Sequence, residues 1–360
     1  MTRRAIARAW LTGAFVLATC TGALADTLLV VRKSADVLDL IDPGSGLRLA
    51  TVPVGFAPHE VSVAPDGRLA VVSNYGTRER AGSTLSVVDL EQPRELRRID
   101  LGPHTRPHGV AWYAPDRVAV TTEGSAHLLL VDPLAGTIVA KITTGQETSH
   151  MVAVAPDARR AYVANIGSGS VTAAALDAPT APVHTTPTGA GTEAVAVRPD
   201  GREVWVAARA GGTLLRLDAF SLEPLGRFDL PGVPIRLAFS PDGATAFVNC
   251  AGSAEVVAFD AATGRELRRR KIESPLAPAA SSRPFAGLAP GSPLPVGLLV
   301  APDGKRLFVA ATMADRILQL DAGTLEVLHV IDVDGEPDGL GITHVMPKAQ
   351  CHACSPAPGK

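Results

Sequence analysis

A chain of 360 residues with a formal net charge of -2 and 4% aromatic residues lacks the basic excess that phosphate-backbone binding uses and the ring surface on which bases stack. Nucleic acid is therefore excluded as a partner. The length exceeds an ordinary single domain, yet a repeat architecture wound around one axis carries it without separate cores.

Arg3, Arg4 and Arg8 make a basic start, and Trp10 to Ala18 form an apolar run too short to span a bilayer as a helix. With Ala23 and Ala25 as the small residues of a cleavage site, residues 1–25 read as a signal peptide cut before Asp26. The mature protein is then expected in the periplasm or outside the cell. A competing reading makes Leu17 to Cys20 a lipobox with a lipidated Cys20, for which Thr19 is a poor preceding residue. No later stretch reads as a transmembrane segment. Cleavage leaves Cys250, Cys351 and Cys354, which cannot form a disulfide framework for a chain of this length.

From residue 26 onward the chain repeats a short apolar strand, a Pro-Asp turn and a second apolar strand. The pairs Pro65-Asp66, Pro115-Asp116, Pro156-Asp157, Pro199-Asp200, Pro241-Asp242 and Pro302-Asp303 lie 50, 41, 43, 42 and 61 residues apart, a period in the propeller range. Proline fixes φ early in the turn, and Asp, followed by Gly in four of the six, accommodates the reversal. A second marker counts higher: an apolar strand ends in Asp at Asp42, Asp89, Asp132, Asp177, Asp218, Asp260 and Asp321. The unit short of an inner strand is the first, and Pro337-Asp338-Gly339-Leu340-Gly341-Ile342 parallels Pro58-His59-Glu60-Val61-Ser62-Val63. These counts predict an all-β, seven-bladed β-propeller over residues 26–346, one blade of which takes its inner strand from the C-terminus and the rest from residues 27 to 54. Pairing the two termini closes the ring without exposed sheet edges.

The segment AVAPDARRAYVANIGSGSVTAAALD resembles the repeat of the YVTN β-propeller family, and the resemblance extends over about residues 27 to 345. It is specific for fold and implies little about function. Similar propellers include cell-surface adhesion modules, lactonases and the haem-binding propeller of cytochrome cd-type nitrite reductases. A WD-repeat propeller has no support, because no unit carries the Trp-Asp signature.

In this topology the start of each inner strand and the loop between second and third strands share one face of the disc. Counting six residues back from each Pro-Asp pair gives His59, His150, Glu193, Ile235 and Val296, with Asp338 placed by its own Pro337. His108 lies seven back, but Pro107-His108 matches Pro58-His59, so one extra residue, a bulge, is expected in that strand. Nine His in 360 residues would put about 0.2 of them among seven such positions by chance, so three in neighbouring blades point to a common site. His59, His108, His150, Glu193 and Asp338 are the candidate ligand or metal-binding residues, with Glu60, Arg106 and Arg236, and His104 beside them, supplying charge at the mouth. A transition metal, a tetrapyrrole or an anionic small molecule fits such an imidazole and carboxylate set. The plainer alternative is that these histidines bond backbone or line a wet channel. Two long connections, Asn74 to Thr84 and the Pro/Ala/Ser-rich Ser274 to Pro295, are expected near the same face.

Residues 347–360 form a tail in which Cys351, His352 and Cys354 offer either a disulfide or a soft-metal site, with His344 and Met346 nearby. Cys250, in a predicted strand, reads as a packing residue. No Gly-x-Ser-x-Gly elbow, phosphate loop or His-Glu-x-x-His helix is present. The expectation is a periplasmic propeller that binds a small molecule, metal or protein partner at its channel mouth, in a redox or metal-handling system. The alternatives are a lactonase-like hydrolase and a purely structural interaction platform.

Overall fold

The Pro-Asp hairpins and the Asp-terminated strands rest on one device. In the computed structural model, Asp66, Asp157, Asp200, Asp242 and Asp303 each accept a hydrogen bond from the amide two residues on, at 2.8–3.0 Å, which fixes a tight reversal. Asp42, Asp89, Asp218 and Asp321 cap the turn after the third strand in the same way, and Asp132 and Asp260 do so through the amide three residues on. Asp177 instead pairs with Arg159 at 2.9 Å.

The structure describes residues 26–278, 280–283 and 287–348. The expected leader over 1–25, the Cys20 alternative and the Cys351, His352 and Cys354 group lie outside the described residues. The described chain folds into seven four-stranded antiparallel sheets, the blades of a seven-bladed β-propeller. Blade 1 combines Thr27–Arg32, Val37–Ile41 and Arg48–Pro53 with the C-terminal strand Pro337–Thr343, through pairs such as Leu28 with Ile342 and Val30 with Leu340. Blades 2 to 7 follow in chain order, with inner strands Pro58–Val63, Pro107–Ala114, Ser149–Val154, Thr192–Val197, Pro234–Phe239 and Pro295–Val300.

Because each sheet is covered on both faces by its neighbours, the central strands read as continuous apolar runs rather than as alternating ones. Leu28, Leu29, Val30 and Val31 are all fully buried. Among the described residues one apolar cluster fills each of the seven blade junctions. The closing junction sets Leu28, Val30 and Ile41 of blade 1 against Phe308, Ala310 and Ile317 of blade 7. Cys250 is buried in blade 6, and burial pushes its thiol up to about 12.

The expected long connection from Asn74 to Thr84 is not an open loop. Strands Leu69–Gly76 and Ala81–Asp89 stay paired as far as Gly76 with Ala81, leaving a short turn at the tip of an extended hairpin. The described part of Ser274 to Pro295 is irregular apart from the 3-10 turn Ala280–Ser282. It is docked by Arg283, which makes two hydrogen bonds to Asp315 at 2.9 and 2.7 Å, and by Ala280, Ala289 and Leu294 packed on Ile235, Val296 and Met313. No helix among the described residues is long and apolar enough to cross a membrane.

Candidate functional site

Every inner strand is preceded by a residue in the left-handed region: Ala57, Arg106, Thr148, Gly191, Val233, Leu294 and Glu336, with φ between 45 and 74°. Six of the seven are not glycine, and each such residue costs on the order of 1 kcal/mol. The conformation is held by a repeated bond. The carbonyls of these residues accept the amides of Tyr75, Glu123, Ile166, Arg209, Ala251, Thr312 and Lys33 respectively, at 2.9–3.2 Å. Blades 1 to 5 thereby each bring two side chains to the channel mouth, one leading the inner strand and one at the end of the second strand, whereas Ala251 and Thr312 of blades 6 and 7 stay buried.

The first set is His59, His108, His150, Glu193, Ile235, Val296 and Asp338, the positions that counting back from the turns identifies. The register of every inner strand shifts just after its first residue. Blade 3 carries a second shift, between Trp112 and Ala114, and this is the extra residue that displaces His108 in the count. The second set, which sequence reasoning missed, contains Lys33, Tyr75, Glu123 and Arg209. A signal for it exists. Tyr75, Ile166, Arg209, Ala251 and Thr312 each stand nine residues after the Asp of their turn, and Glu123 stands seven after Asp116, where the turn is shorter.

The structure brings all five candidate ligand residues to one cavity of about 320 Å3, which Lys33, Tyr75, Glu123, Arg209 and Arg236 also line. His59, His108 and His150 form a row, with ring centroids 5.2 Å apart between the first two and 3.7 Å between the last two. Tyr75 packs against His59 at 4.4 Å and against His108 at 5.4 Å, and its hydroxyl donates to Glu123 Oε2 at 2.6 Å. The other Glu123 oxygen lies 2.5 Å from His150 Nδ1. His150 Nε2 is 3.6 Å from Glu193 Oε1, and Glu193 Oε2 accepts from Arg209 at 2.6 Å. At the other end of the row Asp338 Oδ2 lies 3.3 Å from Lys33 Nζ and 3.4 Å from His59 Nδ1. Insertion residues Leu288 and Leu294, with Ile235 and Val296, make the opposite wall apolar.

The three histidines titrate apart although they touch. Burial, reinforced by Lys33, pushes His59 down to about 3 against the pull of Asp338. Burial and the neighbouring His150 hold His108 well below its ordinary value. Burial also opposes charge on His150, but the hydrogen bonds its ring donates to Glu123 and Glu193 outweigh it and raise the group to about 9. Glu193 and Asp338, despite their burial, are kept below the usual carboxylate range by His150 and by Lys33 respectively.

One residue deeper, Glu60 and Arg236 pair with each other. Blades 2 and 6 are not neighbours, so this bridge crosses the axis and closes the cavity below. Both partners are buried, and each needs the other because an unpaired buried charge costs several kcal/mol. The same level is glycine in three blades for lack of room. A Cβ on Gly109, Gly297 or Gly339 would stand 2.7, 2.1 or 2.5 Å from the carbonyl oxygen of His150, Asp338 or His59 in the adjoining strand.

Arg106 lies over the Tyr75 ring at 5.2 Å and so flanks the site rather than lining it. His104 turns away and bonds Ser125 Oγ at 2.9 Å. A larger groove of about 560 Å3 lies between blades 4 and 5 beside the Asp157 and Asp200 turns, far along the strands from the histidine row.

No protein-family model matches the chain, and no curated protein matches it in sequence. Solved structures do. A protein of unknown function from Desulfotomaculum acetoxidans has a TM-score of 0.71 at 14% identity, covering 89% of this chain and 99% of its own. The periplasmic gluconolactonase of Pseudomonas aeruginosa has a TM-score of 0.69 at 17% identity, covering 89% and 99%. The hydrazine synthase of Kuenenia stuttgartiensis has a TM-score of 0.63 at 17% identity, covering 87% and 99%. At these identities the likeness is one of fold: this chain is a seven-bladed β-propeller with a polar axial cavity.

Proposed function

We propose that the protein binds a small, oxygen-rich organic molecule in its axial cavity, as an exported propeller of the YVTN type. The observation that carries this reading is the convergence of polar side chains from blades 1 to 5 on one cavity closed below by the Glu60 and Arg236 bridge. Its volume of about 320 Å3 suits a small ligand. Lys33, His150, Arg209 and Arg236 alternate with Asp338, Glu123, Glu193 and Glu60, four cationic groups against four anionic ones. That balance favours a neutral molecule offering hydroxyl and carbonyl groups over a polyanion, and the wall of Ile235, Leu294 and Val296 suits its C–H face. Sugar lactones belong to this class, and one solved neighbour is named a gluconolactonase.

Isothermal titration of the full chain with neutral monosaccharides, gluconolactone and gluconate tests the reading. Neutral ring compounds are expected to bind better than gluconate, and Arg209→Ala or Glu193→Gln to weaken them about tenfold or more, the loss of a charge-assisted hydrogen bond. Binding that ignores both substitutions would place the ligand elsewhere and overturn the reading. Lactone loss above the spontaneous rate that Glu193→Gln abolishes would make the same cavity catalytic. Export is supported by the basic and apolar start of the chain, and the exported protein is expected to begin at Asp26, which intact mass reads directly.

A further inference from the structure

His108, Glu123 and His150 each offer a ligand atom, and these atoms lie within 4.8 Å of one another. Tetrahedral zinc binds imidazole nitrogen and carboxylate oxygen at about 2.0–2.2 Å, which sets neighbouring ligands roughly 3.3 Å apart. Side-chain rotations of about 1 Å close the difference. The rings of His108 and His150 now face each other with a tilt of 32°, so turning about χ2 is the motion that aims their lone pairs at one point.

Hydrogen bonding within the protein explains two of the three residues and not the third. Glu123 and His150 satisfy each other, but His108 Nδ1 is buried and has no hydrogen-bond partner, in a residue only 3% exposed. An orphaned buried nitrogen is costly, and a cation supplies the missing partner. The neighbours are those that a metal centre needs. Tyr75 orients Glu123 through its second oxygen, and Glu193, held by Arg209, stands where it accepts the Nε2 proton of a His150 bound through Nδ1.

We propose that His108, Glu123 and His150 bind one divalent transition-metal ion, with zinc the best fit to two imidazoles and a carboxylate, on the wall of the axial cavity. Three protein ligands leave a fourth position open toward the cavity. The proposal goes beyond the organic-ligand reading and does not depend on which molecule the cavity accepts.

The test uses the full chain with Cys351→Ser and Cys354→Ser, which silences the tail thiols, after chelator treatment. Zn2+ is titrated calorimetrically and Co2+ by its visible absorption. One ion per chain is expected, with tetrahedral Co2+ bands. His108→Ala, Glu123→Gln and His150→Ala should each weaken binding more than about 100-fold, and Tyr75→Phe or Glu193→Gln about 10- to 100-fold. Changing the exposed His184 of the outer strand of blade 4 to Ala should change nothing. Apo-protein melting checks folding, and His108→Gln, which keeps bulk but not the ring nitrogen, replaces His108→Ala if the latter unfolds. Absence of a stoichiometric site in the tail-silenced protein, or a site that survives loss of His108, overturns the proposal. The organic-ligand titration is run on the metal-free protein, so either reading can fail alone.

Discussion

Between blades 5 and 6 Glu203 accepts two hydrogen bonds from Arg216, at 2.9 and 2.8 Å, and one from Trp205 Nε1 at 2.9 Å. Burial alone would raise its carboxyl, yet Arg216 and Trp205 outweigh burial and hold it below the ordinary glutamate value. A carboxylate depressed in the folded state stabilises above its unfolded pKa, and the contribution is lost as pH falls through the folded value. Glu203→Gln should therefore lower Tm at pH 7 by several degrees. The gap to the unsubstituted protein should shrink once pH drops below about 4.3, the usual glutamate value. Thermal melts from pH 7 to pH 3 check this, and a gap that widens toward acid would show that the Arg216 contacts do not set the carboxyl. Residues of this kind were not legible in the sequence. Glu203 and Arg216 meet diagonally across two strands, where Arg216 stands opposite Trp205, and Glu123 reaches His150 from the neighbouring blade; neither spacing has a local signature. His59, His108 and His150 were legible because a short fixed distance from a Pro-Asp turn determines their place.

At the scale of the strand, the C-terminal segment Pro337–Thr343 pairs with Thr27–Arg32, joining residues more than 300 positions apart. Its pairing with Thr27–Arg32 covers the backbone edge of blade 1, and Leu340 and Ile342 pack into the junction with blade 7. Deleting residues 334–360 forfeits the burial of these two half-buried side chains, each less than the roughly 1.5–3 kcal/mol of a fully buried one, and leaves an unpaired edge. Loss of cooperative unfolding or of soluble expression is expected. Deleting only residues 349–360 should leave Tm within a few degrees, because the last contacts of the described chain are made by Lys348, whose amide bonds the Glu91 carbonyl at 2.8 Å. Equal melting of the two truncations would show that the shared blade is not what closes the ring. The seven-against-six count of strand ends and turns revealed this closure in the sequence, since a repeat that is complete in one marker and short in another must borrow a strand. The extended hairpin at Leu69–Gly76 and Ala81–Asp89 escaped detection because Arg78, Glu79 and Arg80 at its tip read as loop, while the pairing depends on backbone alone.

For the whole molecule, sevenfold repetition and the location of the seam are separable. The seven junction clusters are alike in kind, and the left-handed residue with its carbonyl bond recurs in every blade. The scaffold is therefore nearly symmetric, and the site is asymmetric only through the side chains it displays, mostly polar over blades 1 to 5 and mostly apolar toward blades 6 and 7, where Arg236 is the charged exception among the lining residues. Moving the chain ends should then leave the site intact. Thr27 and Thr343 are paired neighbours, so a short Gly/Ser linker can join residue 348 to residue 26. New ends between Thr180 and Ala181, both exposed, shift the seam from the inner strand of blade 1 to the outer strand His184–Pro187 of blade 4, whose side chains are exposed or half-buried. Fraying there uncovers little apolar surface, so the permuted protein should melt within a few degrees of the original. Metal and ligand affinities at the axial cavity should stay within a few-fold, because no residue of either ring has changed its blade neighbours. A permuted protein that folds but loses the cavity's affinities would mean that the covalent continuity of blade 4, rather than the packing of seven equivalent sheets, holds His150 against Glu123.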